Sequence, residues 1–337
     1  MIPPSHHRCR IVLVLAGGNA LGAYQAGVYQ ALHDRGVRPD WVVGTSIGAI
    51  NGAIIVGNRE EHRLDRLADL WHPARAEAEW PMWWDAIPDS WRRTGETLST
   101  IIAGRDGLFG PLGTGLGHVR DRPALYDTAP AAAALSSLVD VAHLNGGSVR
   151  FTAVAVDLES AEDVAFDTTA MTVGPDHIRS SAAMPPLYPP VELDGRLFVD
   201  GGMAANLPLD PALSEPDATP LLCIAVDLLP ATAPRPRTLG DMVGRAQDLI
   251  FACQTRRSIA RWRAAYASDA FAGRSATIVR LTYADQDREI AAKAMDFSPA
   301  SARARWDVGL RDGIDLVERL STGAIAIGAP GLTVVDG

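Results

Sequence analysis

The sequence predicts a parallel α/β fold, and three observations predict it. The first 60 residues read strand, glycine turn, helix, and then strand, glycine turn, helix again. Short apolar runs with strand character return at intervals as far as residue 281. Both glycine turns follow strands, at the edge where open parallel sheets carry their functional loops.

Residues 11–15 form the first strand. The run is too short to cross a membrane and lacks a signal-cleavage region, and Gly17-Gly18 ends it. A helix follows over about 22–33, with Val28, Ala31 and Leu32 on one face and Gly36 closing it. Residues 41–43 are a second strand, and residues 44–48 turn out of it. Residues 49–56 are apolar nearly all round, as a buried helix should be. Residues 59–147 read as a helical insertion that covers the site, with a helix-like patch over 62–71, a tryptophan-rich stretch, and a glycine-rich stretch over 104–117. Strand patterns return over 149–156, 164–166, 191–199 and 221–226. A proline-rich linker over 230–236 precedes a long amphipathic helix over 239–266, and a strand over 277–281 and a helix over 301–320 complete the chain.

A net charge of -9 argues against a nucleic-acid partner and against simple electrostatic attachment to an anionic membrane. The apolar and charged fractions, 47% and 21%, are those of a soluble globular protein. Cys9, Cys223 and Cys253 are too few and too scattered for a disulfide framework or a zinc site, so a reducing cytoplasm fits them best.

Gly44-Thr45-Ser46-Ile47-Gly48 has the G-x-S-x-G form of a nucleophile elbow. A sharp strand-to-helix turn exposes a serine hydroxyl, glycines permit the turn, and the helix N-terminus faces a developing anion. The motif is weak alone, but a strand precedes it and an apolar helix follows. The earlier turn, Gly17-Gly18-Asn19-Ala20-Leu21-Gly22, can present backbone N–H groups to the oxyanion of a tetrahedral intermediate. A phosphate loop would need lysine where Ala23 stands, and a dinucleotide fingerprint would need glycine at Asn19. Asp200-Gly201-Gly202 sits just past a strand. Read alone it is an ordinary Asp-Gly turn. No histidine follows His177, and none of the five that follow Ser46 lies in an obvious strand-end turn behind an acid, so a serine hydrolase here needs another base, and a carboxylate close to the hydroxyl can take its proton.

Together these blocks resemble the patatin-like phospholipases, and the likeness runs through most of the chain. Residues 15–27 resemble the family's oxyanion block, and Gly44 to Gly48 with Ala49, Ile50 and Asn51 its elbow. Residues 180–186 resemble the block before the acidic strand, and Asp200-Gly201-Gly202, with Asn206 and Pro208 behind it, completes the set. Residues 125–128 and the tail near Arg305 and Trp306 resemble a bacterial subgroup with a C-terminal extension. The resemblance implies a three-layer α/β/α sandwich with a mainly parallel sheet. Residues 9–213 would be the catalytic domain, and 214–337 an extension packed on it. It implies a lipid or acyl-ester substrate, Ser46 as nucleophile, Asp200 as base, an oxyanion hole from the amides of Gly17, Gly18 and Asn19, elbow glycines Gly44 and Gly48, and neither cofactor nor metal. An acyltransferase or thioesterase would share this dyad, and a scaffold that has lost catalysis would share the fold.

Two positions depart from the family pattern. Asn19 stands where a third glycine is usual, and Leu21 where many members carry a basic residue. Asparagine tolerates the left-handed backbone, and its side chain would either donate into the hole or narrow it. Trp71, Trp80, Trp83, Trp84 and Trp91 read either as a lipid-facing lid or as a helical core packed on the sheet, with the core favoured. Transient contact with a membrane surface fits a lipid substrate. The oligomeric state is not encoded.

Overall fold

The computed structural model describes residues 9–72, 89–111, 123–215, 218–286, 289–290 and 292–337. Trp80, Trp83 and Trp84 lie outside the described residues. Strand β1 (Arg10–Leu15) passes through a 3-10 turn (Asn19–Gly22) into helix α1 (Ala23–Asp34). Strand β2 (Trp41–Thr45) lies parallel to β1 and leads through Ser46 into α2 (Ile47–Val56), all of whose residues are buried. Helices α3 (Arg63–Trp71) and α4 (Asp89–Ala103) follow, then a small ribbon of β3 (Gly110–Pro111) and β4 (Tyr126–Asp127), then α5 (Ala129–Leu138) and α6 (Val141–Gly146).

The chain returns to the main sheet with β5 (Arg150–Asp157) and β6 (Asp163–Asp167) and leaves it through α7 (Pro175–Ser181). The single strand expected over 191–199 is instead a hairpin of β7 (Val191–Leu193) and β8 (Arg196–Asp200). Asp194 and Gly195, with φ of 51° and 78°, make its two-residue turn. Two positive φ values in succession are what a tight right-twisted hairpin requires, and Asp-Gly supplies them. Helices α8 (Gly202–Ala205) and α9 (Leu209–Ser214) lead to β9 (Leu221–Asp227). The long helix α10 (Leu239–Tyr266) has the bounds its sequence pattern predicts. It is followed by β10 (Ser275–Thr282), α11 (Pro299–Ser321) and a final strand, β11 (Gly331–Asp336), which the sequence pattern did not reveal.

The main sheet runs β11-β10-β9-β1-β2-β5-β8-β7, with β6 on the second edge of β5. It is parallel from β11 to β5 and antiparallel where β6, β8 and β7 join. Leu13 and Leu15 of β1 point into one core with α1, α2 and α11, while Val12 and Val14 point into another with α9 and α10. Strands covered on both faces read as unbroken apolar runs, which is why 11–15 shows no alternation. The chain beyond residue 214 therefore adds three parallel strands and two long helices to the same sandwich.

Helices α1 and α11 cross with their backbones in contact. A Cβ on Gly27 would lie 2.0 Å from the carbonyl oxygen of Trp306, and one on Gly309 would lie 2.0 Å from that of Tyr24. Tyr24 Oη donates to Asp312 at 2.8 Å, and Trp306 Nε1 donates to Gln30 at 2.6 Å, so hydrogen bonds flank the crossing. The tryptophans of the insertion divide. Trp71 is a core residue that donates to Asn51 Oδ1 at 3.0 Å, whereas Trp91 on α4 is 75% exposed.

Candidate active site

Sheet register brings Ser46 and Asp200 together. At β5, Thr45 of β2 stands opposite Val154, and Asp200 of β8 stands opposite Ala155. Strand β6 occupies the other edge of β5 from Thr152 to Val156. Strands β2 and β8 therefore share one edge of β5 and run toward each other along it. They end head to head, with Ser46 one residue past the end of β2 and Asp200 at the end of β8. The segment after α7 braces the junction. Ser46 N–H donates to the carbonyl oxygen and to Oγ of Ser181, both at 3.1 Å. Ser181 Oγ donates to Val154 O at 2.6 Å, and Asp200 N–H donates to Ala183 O at 3.0 Å.

Ser46 has φ 57° and ψ -126°, a strained conformation for a residue with a side chain. Gly44 and Gly48 are required by the same turn. A Cβ on Gly44 would lie 2.4 Å from the Gly48 carbonyl oxygen, and one on Gly48 would lie 2.2 Å from that of Leu15. The elbow is thus pressed against its own helix and against β1, and the strain is held by packing on both sides.

Asp200 is fully buried. Its Oδ1 accepts from Gly202 N–H at 2.7 Å, and its Oδ2 has no hydrogen-bond partner among the described residues. Burial pushes its pKa up from 3.8 to about 7, against smaller opposing effects of the Ser46 hydroxyl and the Gly202 amide. Ser46 is therefore near enough to influence the carboxyl, yet it does not close a well-formed hydrogen bond to the free oxygen. A carboxyl of this kind can hold or release a proton near neutrality.

The loop over 17–22 is held from every side. Gln25 Nε2 donates to Ala16 O at 2.7 Å, Asn51 Nδ2 to Gly22 O at 3.0 Å, Asn206 Nδ2 to Gly17 O at 3.1 Å and Arg305 Nη1 to Ala20 O at 3.0 Å. Gly17 N–H donates to Asn206 O at 3.0 Å, so that amide is already committed to bracing the loop. The amides of Gly18 and Asn19 donate to no acceptor among the described residues. Asn19 adopts φ 52°, within the range asparagine tolerates. Its Nδ2 donates to Tyr188 Oη and to the Met295 sulfur, both at 3.3 Å.

Two cavities meet at Ser46. One of about 330 Å³ is walled by Met184, Leu187, Val243, Phe251 and Met295. The other, about 40 Å³, is walled by Ile47, Ile50, Leu108 and Phe109. Asn19, Ser46 and Tyr188 line both. No histidine lines either among the described residues. A larger cavity of about 470 Å³ lies across α10, away from every residue the sequence nominated.

Sequence reasoning missed Tyr188, the bracing role of Ser181, and the buried Gln25–Asn51–Trp71 chain, in which Asn51 also donates to Gln25 at 3.0 Å. A glutamine and an asparagine on otherwise apolar helix faces were the available signal, since buried amides need partners.

The family model described as patatin-like phospholipase matches residues 13–213, and one described as patatin phospholipase matches residues 242–322. An uncharacterized NTE family protein of Mycobacterium tuberculosis is 29% identical over 202 residues, covering 60% of this chain and 45% of that protein. Patatin-like phospholipase domain-containing protein 7 of Rattus norvegicus is 27% identical over 205 residues, covering 60% of this chain and 13% of that protein. The chain thus spans less than half the length of these curated relatives. Among solved structures, VipD from Legionella pneumophila aligns over 89% of this chain and 67% of its own, at 15% identity and a TM-score of 0.38.

Proposed function

The chain belongs to the patatin-like phospholipase family, and from that premise we propose that it is a serine lipid acyl hydrolase that cleaves carboxylic esters through an acyl-enzyme. Ser46 is the nucleophile and Asp200 its base, with residues 9–213 as the catalytic part and 214–337 as an extension packed on it. The observation that carries this reading is the head-to-head ending of β2 and β8 on one edge of β5. It sets a strained serine beside a buried carboxyl, with no histidine at the cavity among the described residues.

The Ser46 hydroxyl attacks the ester carbonyl while its proton passes to Asp200, whose Oδ2 is the oxygen left free. The oxyanion takes hydrogen bonds from the amides of Gly18 and Asn19, each contributing roughly 3 kcal/mol to the transition state. The C–O bond to the alcohol breaks, and Asp200 returns the proton to the leaving oxygen. Water then gives its proton to Asp200 and attacks the acyl-serine, and the carboxylic acid leaves as Ser46 regains a proton. Gly17 serves as a brace for the loop, with its amide turned to Asn206.

Labelling with a fluorophosphonate probe tests the proposal. Wild type is expected to label, Ser46→Ala to lose labelling while melting normally, and Asp200→Asn to label at least about a hundredfold more slowly. Absence of labelling in folded wild type, or full labelling in Asp200→Asn, would refute it.

A further inference from the structure

We propose that the Tyr188 hydroxyl is a further catalytic group, a third donor to the oxyanion beside the amides of Gly18 and Asn19. The inference rests on the hydrolase reading of Ser46. The oxyanion loop leaves a gap for such a donor, because the amide of Gly17 is spent on Asn206 O at 3.0 Å. Tyr188 lines both cavities that meet at Ser46. Among the described residues, only Asn19, Ser46 and Tyr188 are common to the two. The phenol therefore borders the place where a carbonyl attacked by Ser46 would sit.

The side chain of Asn19 decides what the hydroxyl can do. Its Nδ2 contacts both Tyr188 Oη and the Met295 sulfur at 3.3 Å. A thioether sulfur accepts and never donates, so the amide turns its N–H groups to that side, and Tyr188 Oη accepts from the same nitrogen. The phenolic hydrogen is left over, and it meets no acceptor among the described residues. A hydroxyl that accepts one hydrogen bond is polarised to donate the next more strongly. The ring itself is fixed. Tyr188 is buried, its ring centroid lies 5.3 Å from that of Phe109 and 6.0 Å from that of Tyr126, and its N–H donates to Met184 O at 2.9 Å. A donor held in place before the reaction is what stabilisation of a developing oxyanion requires.

The surroundings suit a donor and not a base. Burial pushes the phenol pKa well up, against a smaller lowering by the Asn19 hydrogen bond, and the charges of Tyr126 and Asp200 add to the rise. The hydroxyl therefore keeps its proton throughout the neutral range. No bond to Tyr188 forms or breaks in the reaction: it donates a hydrogen bond to the oxyanion, and proton transfer stays with Asp200. Asn19, which stands where a third glycine is usual, then acts twice. Its amide faces the oxyanion, and its side chain orients the third donor.

Tyr188→Phe keeps the ring and removes only the donor. With p-nitrophenyl butyrate as the probe, kcat should fall about a hundredfold while KM stays within about twofold. The matching thionoester separates donation to the oxyanion from bracing of the loop. Its sulfur accepts hydrogen bonds poorly, so its hydrolysis draws less on the donors. The preference for the oxygen ester over the thionoester, taken as a ratio of kcat/KM values, should therefore drop about tenfold in Tyr188→Phe. That ratio does not depend on how much of either sample is folded. A hydroxyl that only braced Asn19 would slow both esters alike, so an unchanged ratio would overturn the proposal. If wild type cleaves the oxygen ester, Ser46→Ala does not, and the ratio is unchanged in Tyr188→Phe, the hydrolase reading stands and Tyr188 alone is removed from it. Wild type that cleaves neither ester and takes up no fluorophosphonate overturns both.

Discussion

Replacing Asp200 by Asn should remove catalysis and, above neutral pH, make the protein more stable. The carboxyl is raised from 3.8 in the unfolded chain to about 7 in the fold, chiefly because it is buried. The native state therefore keeps this proton to higher pH than the unfolded state does. Its contribution is fully favourable below about 4 and is lost progressively as pH rises through about 7. Three pKa units correspond to about 4 kcal/mol of destabilisation once the carboxyl is ionised. Asparagine keeps the Oδ1 acceptor for the Gly202 amide but places an N–H group where Oδ2 has no partner. Imperfect pairing with Ser46 Oγ there offsets about 1–2 kcal/mol of the gain. The variant should thus be more stable than wild type by about 2–3 kcal/mol at pH 8 and nearly equal to it at pH 5. Urea midpoints measured for both proteins from pH 5 to 8.5 would reveal the trend. A difference that stays constant across that range would refute the argument, because it would mean Asp200 does not change its ionisation on folding.

The same carboxyl predicts that kcat/KM for an ester rises with pH and levels off above about 7, tenfold per unit on the acid limb; a profile flat down to pH 5 would exclude Asp200 as the base. Gly48→Ala should misfold or lose more than about 3 kcal/mol, since its methyl would meet the Leu15 carbonyl at 2.2 Å; an unchanged urea midpoint would contradict the elbow geometry. Gly27→Ala gains helix propensity yet should lose at least about 2 kcal/mol by forcing α1 from α11, and a stabilised variant would show that the crossing is looser than described. Arg305→Met leaves the buried Glu289 without its two-pronged partner, whose bonds are 2.8 and 2.7 Å, and should lose about 3–5 kcal/mol by denaturation, with little dependence on salt.

What the sequence revealed and what it concealed follow from the range of each interaction. The elbow was legible because Gly44 and Gly48 answer a local demand of the backbone, written within five residues. Asp200 was ambiguous because its meaning depends on sharing an edge of β5 with a strand from the other end of the domain. Asn19 announced the left-handed turn it occupies, but its side-chain partner Met295 lies 276 residues away. The roles of Gly27 and Gly309 were hidden because nothing in their neighbouring sequence shows that another backbone lies against them. The hairpin at Asp194-Gly195 was signalled by its turn residues and masked by the apolar pattern running through it. The final strand β11 was missed because its residues are only half buried at the sheet edge, where the apolar pattern is faint.

The crossing of α1 and α11 also sets an order of events during synthesis. Strand β1 needs β9 along one edge, α1 needs α11 across its glycine face, and the loop between β1 and α1 is tied at Ala20 to Arg305. The earlier segment therefore waits for a partner 285 residues further along the chain. A ribosome that has finished Asp200 has delivered both the proposed nucleophile and its proposed base, but β1 still has an open edge and its loop lacks its clamp. Such long-range closure is slow and leaves apolar surface exposed in the interval. Competence for the proposed chemistry should therefore appear only once α11 docks on α1, so that chains made only as far as Asp200 hold Ser46 in an unfinished setting.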